Sequence, residues 1–370
     1  MNTQELLSPA TQRNRPVISF PASQSLQAST GSRAGAVSTS LPRLDDAICP
    51  LSFENQGDTP QGIPQGHVTE VFGPPGVGKT SLALNVISSA LQAGRKAVWI
   101  DTGSPLPRPR LREILQKSIH KAGSAQTVEE LAQNMTYFRA QSLPHLLALL
   151  FRLPAGFPHD ECDLLVIDSA SAPFPSYFPN ATELKTRVAQ SKSLDKNQVQ
   201  WLMNRSSNVT SDFANQLTKL AVTHHMAILV INQTRTRIKG QARATLCPVL
   251  TGGSWERCIN TRIALYRDFS TVDDEASYPV RFAEVMKRAG KLLALRLEEN
   301  IVAFEIGMDG LNALDDQPSP PMAQADFGHA EGLPLQRKRK VEEVADSQDE
   351  EDSGDDYGWG EGDNAALDQS

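Results

Sequence analysis

Eight residues, Gly73-Pro74-Pro75-Gly76-Val77-Gly78-Lys79-Thr80, carry the spacing G-x-x-x-x-G-K-[ST]. The chemistry that fits this pattern is phosphate binding. Successive backbone N–H groups point into one concavity, and the N-terminus of a following helix adds partial positive charge. Lys79 is expected to reach the β- and γ-phosphates of a nucleotide, and the Thr80 hydroxyl to ligate Mg2+. A Gly/Pro-rich turn with a chance lysine is the alternative, and the flanks argue against it. His67-Val68-Thr69-Glu70-Val71-Phe72 alternates like a short strand, and Ser81 to Ile87 reads as the first turns of a helix, the context the motif requires.

A second signal lies downstream. Asp163-Leu164-Leu165-Val166-Ile167-Asp168 is an apolar run closed by an acid. Such an acid, following a phosphate loop, is placed to hold Mg2+ directly or through water. A strand-end capping aspartate is the plainer reading of the same residue. Asn232 and Gln233 close another apolar run, and a basic loop follows with Arg235, Arg237, Lys239 and Arg243. A basic flexible loop binds phosphates without regard to base sequence. This one has no aromatic side chain on which a base could stack, so its expected hold on a single strand is weak.

The elements that position these residues follow from periodicity. The helix after the phosphate loop is expected to run to about Gln92, with Gly94 as its C-cap. Ala97–Asp101, Met135–Arg139, Asp163–Ser169 and Met226–Gln233 read as buried strands, whose continuous apolar runs suit a parallel sheet. Leu111–His120, Ser142–Arg152 and Gln198–Thr223 read as helices, the last with Trp201, Leu202, Val209, Phe213, Leu217, Leu220 and Ala221 on one face. Residues 170–200 otherwise read as irregular. Strands are expected near Asn260–Tyr266, Val280–Lys287, Leu292–Leu297 and Ile301–Ile306. The close spacing of the last three predicts an antiparallel extension of a mostly parallel, twisted sheet. The fold class is α/β.

Composition sets the limits. The 370 residues carry a net charge of −7, unevenly spread. Residues 341–370 hold 12 Asp/Glu and no Lys/Arg, which leaves 36 Lys/Arg against 31 Asp/Glu elsewhere, a net of +5. Cys49, Cys162, Cys247 and Cys258 form neither a C-x-x-C pair nor a zinc-finger spacing, which suits a reducing compartment. No stretch approaches the roughly 18 apolar residues of a membrane span, and the first residues lack a signal-peptide core, so a soluble, intracellular protein without membrane contact is expected. Residues 1–40 read as a flexible arm, 41–310 as the core, and 311–370 as a disordered acidic tail. Within the arm, Val17-Ile18-Ser19-Phe20-Pro21-Ala22 either adds to the sheet edge of a neighbouring protein or rests on its own domain. Arg337-Lys338-Arg339-Lys340 reads as a nuclear-import signal, with a solvated charge cluster as the alternative. Tyr357-Gly358-Trp359, in an acidic tail, reads as a motif that folds on a partner.

Taken together, Gly62-Ile63-Pro64, the run Val68 to Thr80, Trp99-Ile100-Asp101-Thr102, the Asp168 strand, Asn232-Gln233, Gly252-Gly253-x-Trp255 with Asn260-Thr261-Arg262, and Ile306-Gly307-x-Asp309-Gly310 resemble the ATPase core of the eukaryotic RecA-type recombinases. In detail the chain is more similar to the recombinase paralogues, and its short N-terminal stretch and acidic tail resemble the fungal form. The resemblance implies a RecA-like ATPase core that binds ATP and Mg2+. It further implies a mediator that loads the strand-exchange recombinase on single-stranded DNA in homologous recombination and double-strand-break repair. A second paralogue would be its heterodimer partner. By position, Arg110 matches an arginine that packs on adenine, Asn232 and Gln233 a pair that senses the γ-phosphate, and Arg235, Arg237, Lys239 and Arg243 a DNA-facing loop. Phe20 and Ala22 fall where the family has a linker that inserts into a neighbour, with shorter spacing here.

One departure carries weight. The recombinases place a water-positioning glutamate directly after the Asp-Thr pair, where this chain has Gly103. General-base assistance is worth roughly 10²–10⁴ in rate. ATP binding with slow or partner-dependent hydrolysis, a weak DNA-dependent ATPase, is therefore expected, unless a nearby acid such as Glu70 compensates. The alternatives are a non-catalytic assembly subunit that uses the ATPase fold only for partner contacts, and, with less support, a small-molecule kinase.

Overall fold

A computed structural model describes residues 35–49, 61–123, 125–154, 157, 162–178, 196–237, 245–269 and 279–314. Phe20, Ala22, Lys239, Arg243 and the run 337–340 lie outside the described residues.

In chain order, β1 (Ala36–Val37), α1 (Pro42–Ile48) and β2 (Ile63–Pro64) precede β3 (Val68–Phe72) and α2 (Lys79–Gln92). Then come β4 (Lys96–Asp101), α3 (Arg108–Ala122), α4 (Val128–Gln133), β5 (Met135–Arg139), α5 (Leu143–Phe151), β6 (Cys162–Asp168), α6 (Phe174–Tyr177), α7 (Lys196–His224) and β7 (Ala227–Asn232). The chain continues through β8 (Thr234–Arg237), β9 (Thr245–Pro248), α8 (Gly253–Cys258), β10 (Ile259–Phe269), β11 (Pro279–Arg288), β12 (Lys291–Leu292), β13 (Ile301–Gly307) and β14 (Gly310–Ala313). Local chemistry accounts for several boundaries. Thr127 and Glu130 form a reciprocal capping box that starts α4, and Ser142 caps α5, which carries Pro144 in its first turn, where no N–H is needed.

One sheet organises the core, in the order β14-β13-β11-β10-β3-β7-β6-β4-β5, with β12 beside β11. From β10 to β5 all pairings are parallel, and from β10 to β14 all are antiparallel, as the α/β expectation with an antiparallel extension requires. Both faces are covered. Val71, Trp99, Val166, Leu229 and Ile231 pack with Leu82, Val86 and Leu91 of α2 and Ile114 of α3. Alternate residues, Val68, Val98, Ile100, Leu165, Ile167, Ile228 and Val230, pack with Leu146 and Leu150 of α5 and Phe213 and Leu217 of α7. Burial on two faces is why these strands read as unbroken apolar runs.

Three expectations are corrected. Leu292–Leu297 is not a strand: β13 already pairs with residues 281–284 of β11, so only Arg288 and Lys287 remain for Lys291 and Leu292. Leu292, Leu295 and Leu297 are consequently exposed. Trp201, read as a core position of its helix, is 60% exposed, because the packed face of α7 begins further along, with Phe213 and Ala214 fully buried. Residues 36–40, read as part of the arm, belong to the folded core: Val37 pairs with Ile63, and Thr39 is buried with its backbone N–H and hydroxyl both donated to Asp45.

Candidate functional site

The phosphate loop joins β3 to α2 at the carboxyl end of the central strand. Two glycines there are required by their surroundings. A Cβ on Gly73 would lie 2.2 Å from the Leu265 carbonyl oxygen of β10, and Gly78 has φ 111° with Ile306 Cδ1 2.9 Å from where a Cβ would stand. The Thr80 hydroxyl donates to Asp168 Oδ2 at 2.7 Å, across 88 residues of sequence. Lys79 Nζ is folded back on the loop and donates to the carbonyl oxygens of Gly73 (2.6 Å) and Pro74 (2.9 Å). Burial lowers the Lys79 pKa, and the Asp168 charge pulls it partly back. Burial raises the Asp168 pKa, against the Thr80 hydrogen bond and the Lys79 charge, and Asp101 raises it further.

These groups fit a magnesium–phosphate ligand. One hydroxyl and one carboxylate meet in the site, and among the described residues no cluster of three His, Cys, Asp or Glu could hold a metal alone. Mg2+ suits such a place because it usually takes one or two protein oxygens and completes its shell with substrate phosphates and water.

Beside Asp168 in register lies Asp101, 1% exposed. Its carboxylate accepts from Tyr137 Oη (2.8 Å) and from the Gly103 backbone N–H (3.0 Å), with Arg139 Nε at 3.7 Å. The Thr102 hydroxyl donates to the Ser169 carbonyl at 2.6 Å and accepts from its N–H at 3.0 Å, tying the two strand ends together. At Gly103 the nearest atom to an added Cβ is Ala172 Cβ at 3.6 Å, an ordinary contact. Neither backbone nor space demands glycine there.

Two residues considered for the nucleotide chemistry lie on the other face of the sheet. Glu70 is fully buried and faces the α7 side of the sheet, away from the phosphate loop. Its carboxylate accepts from Asn232 Nδ2 (2.7 Å), Trp255 Nε1 (2.9 Å) and the Arg262 guanidinium, so it is held within the fold on the face away from the loop and is not placed to orient water there. Arg262 also holds Glu256 in two bonds of 2.8 and 2.9 Å. Asn232 points to the same face. Besides Glu70 it donates to the Leu250 carbonyl (3.1 Å) and accepts from the Leu250 N–H (3.2 Å). Both of its amide N–H donors are used, and the side chain braces the foot of the following hairpin on the face away from the phosphate loop. Gln233 is exposed, and its backbone N–H donates to Ser171 Oγ at 2.8 Å.

Arg110 donates to the carbonyls of Gly307 and Met308 (3.1 Å) and to Glu113 (3.2 Å). Ile306, at the end of the same β13 strand, lies beside Gly78, so Arg110 is tied to the strand end that abuts the phosphate loop. The basic loop, expected to be flexible, begins as β8, which pairs antiparallel with β9 from Thr234↔Pro248 to Arg237↔Thr245. The Arg235 guanidinium lies 3.5 Å from Thr251 Oγ1. The aromatics missing from that loop stand elsewhere: the Arg205 guanidinium lies 5.4 Å from the Tyr177 ring centre and 5.3 Å from that of Trp201, both rings exposed. Tyr177 follows β6, next to the strand that leads into the hairpin. No local pattern in the sequence joins residues 177 and 201.

The fold and the loop define a P-loop α/β protein of the RecA type. Residues 58–251, more than half of the chain, match the family described as Rad51, and the chain belongs to that family. It is similar to the DNA repair protein rhp55 of Schizosaccharomyces pombe, 25% identical over 301 residues that span 70% of this chain and 85% of that one. It is also similar to the DNA repair protein RAD51 homolog 3 of Dictyostelium discoideum, 25% identical over 55% of this chain and 53% of that one. Protein RecA of Nitratidesulfovibrio vulgaris is 29% identical over 48% of this chain and 41% of its own length.

Proposed function

We propose that the chain is an ATP- and Mg2+-binding recombination mediator that assists a strand-exchange recombinase onto single-stranded DNA during double-strand-break repair. The observation that carries this reading is the Thr80–Asp168 contact beside Lys79, a nucleotide constellation in a chain whose relatives bear repair and recombination names. Lys79 turns from the loop carbonyls to the β- and γ-phosphates, the loop amides hold the phosphate oxygens, and Arg110 flanks the base. Bound Mg2+ would supply charge neutralisation of the phosphates from Thr80 and Asp168. Hydrolysis is slow, because Gly103 cannot take a proton and Glu70 lies across the sheet, held by Asn232, Trp255 and Arg262. Nucleotide binding then sets conformation and partner contacts. Single strands bind the basic hairpin through Arg235 and Arg237, and the Tyr177–Arg205–Trp201 patch offers flat rings that suit base stacking. A second paralogue bound through the Phe20–Ala22 arm, and nuclear import through the run 337–340, complete the reading.

Gly103 favours one alternative, an assembly subunit that binds nucleotide without turnover. Turnover assays on the purified protein, alone and with its co-purifying paralogue, with and without single-stranded DNA, separate the two. DNA-stimulated hydrolysis that Lys79→Ala abolishes supports the mediator ATPase. Nucleotide bound but never turned over supports the scaffold. A protein that binds no nucleotide refutes both.

A further inference from the structure

Two arginines flank the phosphate loop, and among the described residues neither has a carboxylate partner. Arg267 on β10 and Arg281 on β11 are register partners, and Phe304 of β13 is next in the same row. Register partners share a face of the sheet, and this row faces the loop. Arg267 Nη2 donates to the Gly76 carbonyl at 2.7 Å, while Phe304 and Ile306 abut Gly78. Arg281 therefore stands between the side chains that touch residues 76 and 78. Its Nε is buried and has no hydrogen-bond partner. Burial lowers the Arg281 pKa, and the neighbouring Arg267 charge lowers it further.

Two like charges directly opposite on a sheet repel, and a buried donor without a partner is costly. An oxyanion beside them removes both penalties. In the nucleotide reading the loop amides hold the phosphate oxygens and Lys79 reaches the β- and γ-phosphates. A third phosphate adds negative charge to a loop whose crown, at Gly76, already lies against Arg267. We propose that Arg267 and Arg281 form an oxyanion-binding flank of the phosphate loop that recognises the terminal phosphate of a nucleoside triphosphate and makes the chain prefer triphosphate over diphosphate. This rests on the nucleotide reading above and adds a specificity element to it.

The test is equilibrium binding of Mg-ATP, Mg-ADP and inorganic phosphate to the full chain. Wild type, Lys79→Ala, Arg267→Gln, Arg281→Gln and Arg281→Lys are compared, with ligand-free melting as the control for folding. The glutamine variants should lose about tenfold or more in ATP affinity and less than about twofold in ADP affinity, since an added charge interacts with fixed cations in proportion to their number. Arg281→Lys should keep most of the preference. An unchanged ATP-to-ADP ratio in both glutamine variants overturns the proposal, as does Arg281-dependent uptake of inorganic phosphate with that ratio intact. If wild type binds no nucleotide, or Lys79→Ala binds it normally, the nucleotide reading itself falls, an outcome distinct from a failure of the arginine flank alone.

Discussion

Glu70 and Asp168 are carboxylates on central strands of one sheet, and they face opposite sides of it. Glu70, fully buried, accepts from an amide, an indole and a guanidinium. Asp168 accepts one hydroxyl bond and lies close enough to Lys79 for charge to be felt, yet Lys79 spends its own bonds on loop carbonyls. The more fully bonded side holds the fold together; the side with spare acceptors is the one proposed to take the nucleotide. The difference teaches that polarity in the core does not mark the site. Unused hydrogen-bonding capacity does.

Substitutions can break or sharpen that contrast. The largest expected effect is a gain: Gly103→Glu places a carboxylate where space exists on the nucleotide side, and should raise ATP turnover by roughly 10²–10⁴ in a steady-state assay. On the more fully bonded side, Arg262→Ala leaves Glu70 buried without its cation and should destabilise the protein by about 3–5 kcal/mol in urea unfolding. Asn232→Ala should cost about 1–3 kcal/mol by leaving polar groups of Glu70 and Leu250 unpaired. Its ATP affinity should stay at the wild-type level, the reverse of what a γ-phosphate sensor would show. The smallest effect is a trade. Burial raises the Asp168 pKa in the folded state, so the folded protein binds the proton more tightly, and ligand-free stability falls as pH rises from the unfolded value through the raised one. Asp168→Asn removes that cost: melting should be slightly higher at neutral pH and lose this pH dependence, while Mg-ATP affinity drops.

The contrast also explains what could be read from the sequence. Lys79, Thr80 and the Asp168 strand were legible because each depends on local spacing: a turn before a helix, and an acid after an apolar run. The parallel core was legible because two covered faces leave unbroken apolar strands. Glu70–Arg262 was not legible, since the partners lie 192 residues apart and meet only when β10 docks on β3. The same holds for Asn232, whose face depends on strand register, and for Arg267, whose loop contact comes from a distant strand. Leu292–Leu297 misled because the spacing of apolar runs cannot show that β13 already pairs with residues 281–284 of β11.

The central claim, that the open side of the sheet is a nucleotide site, is tested most directly by titrating Mg-ATP into wild-type protein and Lys79→Ala, each with its ligand-free melting curve. The account predicts saturable binding by wild type, at least about a hundredfold weaker binding by Lys79→Ala from loss of a charged hydrogen-bond donor, and an unchanged melting temperature. Equal affinity in the two proteins would contradict it.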